Sequence, residues 1–238
     1  PDQVPEVLAR FPGAMTAKVK VAEPGQSLAD DVARVRAVRE LIPTVRVDAN
    51  GGWTVAQAVA AARALTAEGE LEYLEQPCRT VAELAEVRRL TDVPVAADES
   101  IRKADDPLAV VRAKAADIAV LKVAPLGGVR ATLDIAAQID IPVVISSALD
   151  SAVGIAAGLA AASALPNLEH ACGLGTGGLF VEDVVEPGFT PVGGLLPVCP
   201  VIPDPARLAG LAPSADRRDW WIARTRKCLG LLADRRPG

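Results

Sequence analysis

The sequence predicts a parallel (β/α) barrel, and three observations lead there. Short runs rich in Val, Ile and Ala alternate with helical patterns of roughly 10–15 residues, the signature of βαβ units. The apolar runs are nearly continuous rather than alternating, as in parallel strands covered on both faces. A polar or charged residue stands at or near the end of each run: Lys20, Asp48, Glu75, Asp98, Lys122, Ser146 with Ser147, then His170. The intervals are 28, 27, 23, 24, 24 and 24 residues. A strand, a helix and two short loops take up about that length, and in a barrel the C-terminal strand ends converge on one mouth, where the chemistry sits.

The elements follow in order. Strands are expected over 17–22, 45–49, 71–75, 93–97, 118–123, 143–147 and 168–172. The first helix, 27–41, opens on Ser27 with Asp30 at N3 and carries Leu28, Val32, Val35 and Val38 as an apolar stripe. The second, 54–68, is capped by Thr54 and closed by Gly69. The third, 80–90, begins TVAE, a capping box with Glu83 reaching back. Helices over 106–115, 129–138 and 149–164 complete the series. Trp220–Trp221 is expected to anchor a C-terminal helix.

The composition narrows the function. The 238 residues are 50% hydrophobic, enough for one sizeable core, which excludes a disordered chain. A net charge of −5 and 3% aromatics argue against a nucleic-acid partner. No apolar run of about 18 residues escapes charge, Pro or Gly, so no membrane span or membrane partner is expected. Cys78, Cys172, Cys199 and Cys228 are scattered without a CxxC, which suits a reduced, cytoplasmic protein. Cys78 is read as a packed thiol, and His170 as a hydrogen-bonded structural residue.

Asp48, Glu75 and Asp98 would meet at the mouth. Three like charges there repel, and a hard divalent cation resolves this; an all-oxygen set fits Mg²⁺. Lys18 and Lys20, two residues apart, share one strand face. Lys122 stands beyond the acids. Three of the six lysines therefore fall at the mouth. Unlike Arg, Lys can lose its proton when crowded by another cation, which makes Lys20 a general-base candidate with Lys18 beside it. A metal on a substrate carboxylate, a lysine taking the α-proton and a second lysine facing the enediolate form one coherent reaction class.

The strings TAKVKVAE, VDANGGW, YLEQP, VAADES and VLKVAPLGG carry a resemblance from residue 14 to about residue 200. The chain resembles the enolase superfamily, muconate-lactonising subgroup. The resemblance implies a TIM-type (β/α)7β barrel with Asp48, Glu75 and Asp98 on Mg²⁺, Mn²⁺ being a possible substitute. It implies Lys20 as acid/base, Lys122 as the cation facing the enediolate and Lys18 as its catalytic neighbour. Asn50, Ser146, Ser147 and Gly173 would contact a small-molecule carboxylate substrate. EQPC, ADESIR, SSALDSAVG and ACGLGT point to the subgroup's dehydratases and imply syn loss of water from a hydroxycyclohexadiene carboxylate. Epimerisation of N-acylamino acids or dipeptides, a Schiff-base aldolase through Lys122, and a low-activity remnant remain open. The resemblance implies no particular oligomer, and a monomer suffices. Against its pattern, residues 1–175 are expected to form an incomplete barrel without the first strand or the N-terminal α+β capping domain. Residues 176–238 would be the last barrel helix and a segment returning toward that cap.

Overall fold

The computed structural model describes residues 1–102 and 106–234. It divides into two compact units, Pro1–Ile202 and Pro203–Gly238. In chain order the first unit carries α1 (Val4–Leu8), β1 (Thr16–Lys20), α2 (Leu28–Arg39), β2 (Thr44–Asp48), α3 (Val55–Thr66), β3 (Leu74–Glu75) and α4 (Val81–Leu90). Then come β4 (Val95–Ala97), α5 (Glu99–Arg102), α6 (Ala109–Arg112), β5 (Ile118–Lys122), α7 (Val129–Ala136), β6 (Val143–Ser146) and α8 (Ala152–Ser163). The second unit holds α9 (Pro205–Gly210) and α10 (Ala215–Asp234).

The six strands form one parallel sheet in the order β1-β2-β3-β4-β5-β6. Each strand side chain faces either the helices or the barrel interior, because direction alternates along a strand. Val19, Val45, Val47, Leu74, Ala97, Ala119, Leu121 and Ile145 join the core beneath the helices. Tyr73, Ala96, Ile118, Val120 and Val144 form a smaller cluster inside the curl. Every residue of β5 is buried, which explains the unbroken apolar run read from the sequence. Asp48, Glu75, Asp98 and Lys122 belong by parity to the interior row, one layer above that inner cluster.

Three helices open with complete capping boxes: Ser27 with Asp30, Thr54 with Gln57 and Thr80 with Glu83. In each, the hydroxyl accepts from the N3 amide and the N3 side chain accepts from the cap amide, satisfying donors a helix start leaves orphaned.

Several expectations need correcting. The seventh strand, 168–172, does not form among the described residues; only Gly173 bridges to Ser146. The reason is local. The Ala171 carbonyl accepts from the Arg46 side chain at 2.9 Å rather than from a neighbouring strand amide, and the His170 ring beside it pairs with Glu72 at 2.8 Å. The helix expected over 106–115 shrinks to α6. Asp106 accepts from the Leu108 amide and holds a turn before it, and Lys114 ends it at φ 50°. Trp220 and Trp221 are about half exposed and stack edge to face on each other, so they are not buried anchors. Cys78 is a buried free thiol, as expected. Residues 235–238 of the expected C-terminal segment lie outside the described residues.

Candidate active site

The interior row brings the predicted charges together. The Lys18 ammonium donates to Asp48 Oδ2 at 3.0 Å and to Glu75 Oε1 at 2.6 Å. Lys20 donates to the same Asp48 oxygen at 2.5 Å and to Asn50 Oδ1 at 2.6 Å. Lys122 donates to Asp98 Oδ2 at 2.5 Å, and Arg102 donates to Asp98 Oδ1 at 2.7 Å. Asp48, Glu75 and Asp98 are each 1% exposed or less, and the Lys122 side chain 9%. The Lys20 side chain is 49% exposed and is the open end of the group.

Backbone turns aim these side chains. Asn50 adopts φ 46° and Gly51 φ 73° just past β2, which folds the Asn50 amide back over Asp48. Its backbone N–H donates to Asp48 Oδ1 at 2.9 Å, and its side-chain amide donates to Glu99 at 3.2 Å. Ser146 and Ser147 sit at the end of β6 beside Gly173. Both hydroxyls donate to the Gly173 carbonyl, at 3.3 and 3.1 Å, and Ser147 also meets the Thr176 hydroxyl at 2.7 Å. A Cβ on Gly173 would lie 2.6 Å from Ser146 Oγ, so a side chain there would displace the Ser146 hydroxyl.

The electrostatics are those of buried acids under ammonium groups. Burial works against the charge on Lys18, yet Glu75 and Asp48 hold it well above the ordinary lysine value. Burial likewise opposes ionisation of Asp48, but Lys18 and Lys20 bring it below the usual carboxylate range. Glu75 goes the other way: burial pushes it up to about 7, Lys18 offsetting part of the rise and Asp48 adding to it. Between about pH 4.5 and about pH 7 the folded chain therefore keeps a proton on Glu75 that the unfolded chain has lost. That contribution to stability is complete below this window and is lost as pH rises through it. With a chelator present, the urea stability of the chain should fall between about pH 5 and about pH 8, and Glu75→Gln should flatten the fall. Urea melts of both proteins at the two pH values check this; equal slopes would mean that Glu75 is not the group responsible.

The carboxylates suit a hard divalent cation. The donor set is all oxygen and buried, and Glu75 Oε2 is buried with no hydrogen-bond partner. Among the described residues, no three potential ligands stand as they are in a group able to hold an ion. Apart from Glu75 Oε2, their oxygens are engaged by Lys18, Lys20, Lys122, Arg102 and the Asn50 amide. Binding thus requires ammonium groups to yield those oxygens, which flexible four-carbon side chains can do.

Arg46, Glu72, Arg102, Gln76 and Thr176 were not singled out from the sequence. Two had a legible signal: Arg46 lies two residues before Asp48 on the same strand face, and Arg102 one helical turn after Asp98. His170 accepts or donates at Glu72 inside the curl, in agreement with its structural reading.

A parallel curl of strands with acids and lysines at its C-terminal rim defines the class. Residues 6–211 match the family described as enolase C-terminal domain-like, and the chain belongs to that enolase superfamily family. An o-succinylbenzoate synthase of Mycobacterium tuberculosis is 76% identical over 230 residues, 97% of this chain and 70% of the relative. One of Mycobacterium marinum is 75% identical over 98% of this chain and 71% of the relative. Within the superfamily, the chain belongs with the o-succinylbenzoate synthases. Among solved structures, the muconate lactonizing enzyme of Pseudomonas putida superposes with TM-score 0.76 at 27% identity, over 88% of this chain and 62% of that one. A dipeptide epimerase of Enterococcus faecalis gives TM-score 0.68 at 28% identity, over 79% of this chain and 56% of that one. Enzymes of this group use a divalent metal ion and act on small molecules. No described helix is long and apolar enough to cross a membrane.

Proposed function

We propose that this chain carries the catalytic barrel of an o-succinylbenzoate synthase, a hydro-lyase. It dehydrates 2-succinyl-6-hydroxy-2,4-cyclohexadiene-1-carboxylate to 2-succinylbenzoate in cytoplasmic menaquinone biosynthesis. The observation that carries this reading is the 76% identity to enzymes of that name over 97% of the chain. The site chemistry agrees with it. Lys20 and Lys122 hold the two ends of the acid row, one on Asp48 and one on Asp98.

Asp48, Glu75 and Asp98 would hold Mg²⁺, or Mn²⁺ in its place, which supplies positive charge to the substrate carboxylate. Lys20, half exposed and adjustable between Asp48 and Asn50, takes the α-proton and returns it to the departing hydroxyl. Both transfers use one face, hence syn elimination. Lys122, paired with Asp98, faces the negative charge that develops on the substrate. Lys18 neutralises the buried acids from below. Asn50 holds the Lys20 amine, and Ser146, Ser147 and Gly173 line the far wall.

A second reading, racemisation of N-acylamino acids or epimerisation of dipeptides, draws on the dipeptide epimerase neighbour. There Lys20 and Lys122 would each work one face. One experiment separates the two. The chain is incubated with Mg²⁺ in D₂O with the cyclohexadiene carboxylate or with N-succinylamino acids. Aromatic product from the first and slow exchange in the second are expected. Fast α-exchange without elimination would overturn the synthase reading.

A further inference from the structure

Gln76 lies one residue past Glu75, in the string EQP, and is completely buried. The sheet explains why it is there. β3 and β4 pair over only two registers, Leu74↔Val95 and Glu75↔Ala96. The Gln76 amide adds one more rung, donating to the Ala96 carbonyl at 2.8 Å. At that point the backbone turns away: Gln76 adopts φ 38° and Pro77 follows. The next amide on the β4 side, that of Asp98, is left without a strand carbonyl to reach.

The Gln76 side chain supplies it. Its Oε1 accepts from the Asp98 amide at 3.0 Å and the Ser100 amide at 3.2 Å. Its Nε2 donates to the Cys78 carbonyl at 2.8 Å and the Ser100 hydroxyl at 2.7 Å. All four hydrogen-bonding positions of a buried primary amide are used. A side chain thus completes the ladder at the level where Glu75 and Asp98 project inward. It ties the end of β3 to the end of β4 and the start of α5.

We propose that Gln76 is a positioning residue that fixes the spacing of Glu75 and Asp98 for a divalent cation. This rests on the reading of those acids as metal ligands. Partners behind metal ligands typically cost roughly 10–100-fold in metal affinity when removed. Gln76→Leu fills the volume and removes the rung. Gln76→Glu keeps both accepting contacts and can take the Ser100 hydroxyl proton, and its buried carboxyl, protonated, replaces the Nε2 bond to the Cys78 carbonyl.

The test is a Mn²⁺ titration of the full chain, followed by the free-ion electron paramagnetic resonance signal, with circular dichroism as the folding control. Gln76→Leu should bind Mn²⁺ roughly 10–100-fold more weakly. Gln76→Glu should restore binding to within a few-fold of the parent or better, which general loosening of the core would not produce. A folded Gln76→Leu with parental affinity would overturn the proposal. If Gln76→Leu does not fold, Gln76→Glu decides, and weakening of tenfold or more overturns it. A parent chain that fails to bind Mn²⁺ would instead overturn the metal reading itself.

Discussion

Lys20→Ala should lower kcat for the dehydration by about 10³-fold, within the range general acid–base groups contribute, while leaving Mn²⁺ binding and folding nearly intact. The structure supports that separation. The Lys20 side chain is 49% exposed and makes no part of either core. Asp48 keeps a second ammonium, Lys18, at 3.0 Å when Lys20 is gone. Lys20→Arg should not restore turnover, because a guanidinium does not give up its proton at working pH. Steady-state assays of the product, with a Mn²⁺ titration and a melting curve on each variant, check all three statements. Elimination at parental kcat in Lys20→Ala would take the acid/base role from this residue.

Arg46→Met should give the largest loss of stability among single substitutions of the interior row. The guanidinium is 3% exposed inside the curl. It donates to Glu72 at 2.7 Å, to the Tyr73 hydroxyl at 2.7 Å and to the Ala171 carbonyl at 2.9 Å, and lies 4.5 Å over the Tyr73 ring. Burial pushes the Tyr73 phenol above its ordinary value, so it stays a neutral partner. Methionine keeps the length but strands the Glu72 carboxylate with His170 alone. Removing one partner of a buried pair costs about 3 kcal/mol or more. Urea unfolding measures it. A change within 0.5 kcal/mol, the ordinary range for surface substitutions, would mean that the cluster is not a tie.

The sequence made the acids and lysines legible because barrel geometry converts a repeat of 23–28 residues into a shared rim. The capping boxes were legible because they need particular side chains three residues apart. What escaped were side chains that bond to backbone. Gln76 completes a ladder from a left-handed turn, and Arg46 takes a carbonyl 125 residues away. Neither leaves a period in the sequence. The same contact bears on 168–172: the run looked like a strand, but its Ala171 carbonyl accepts from the Arg46 side chain instead of from a strand amide. Glu75 was read correctly as an acid, yet its pull toward neutrality comes first from its burial, with Lys18 opposing it and Asp48 adding to it, and spacing conveys none of these.

The three capping boxes also bear on how this enzyme can change over time. Each lies on the rim side of the sheet, between a strand that carries a charged residue and the helix that follows it. Each helix start is secured by its own four-residue signal, independently of the loop before it. Substitutions in the exposed stretch 23–26 before Ser27 can therefore reshape what the mouth accepts at little cost to folding, whereas Asn50 and Gln76 tie the other two loops to the acids. A scaffold with that division can drift between neighbouring substrates while keeping its acids and lysines in place.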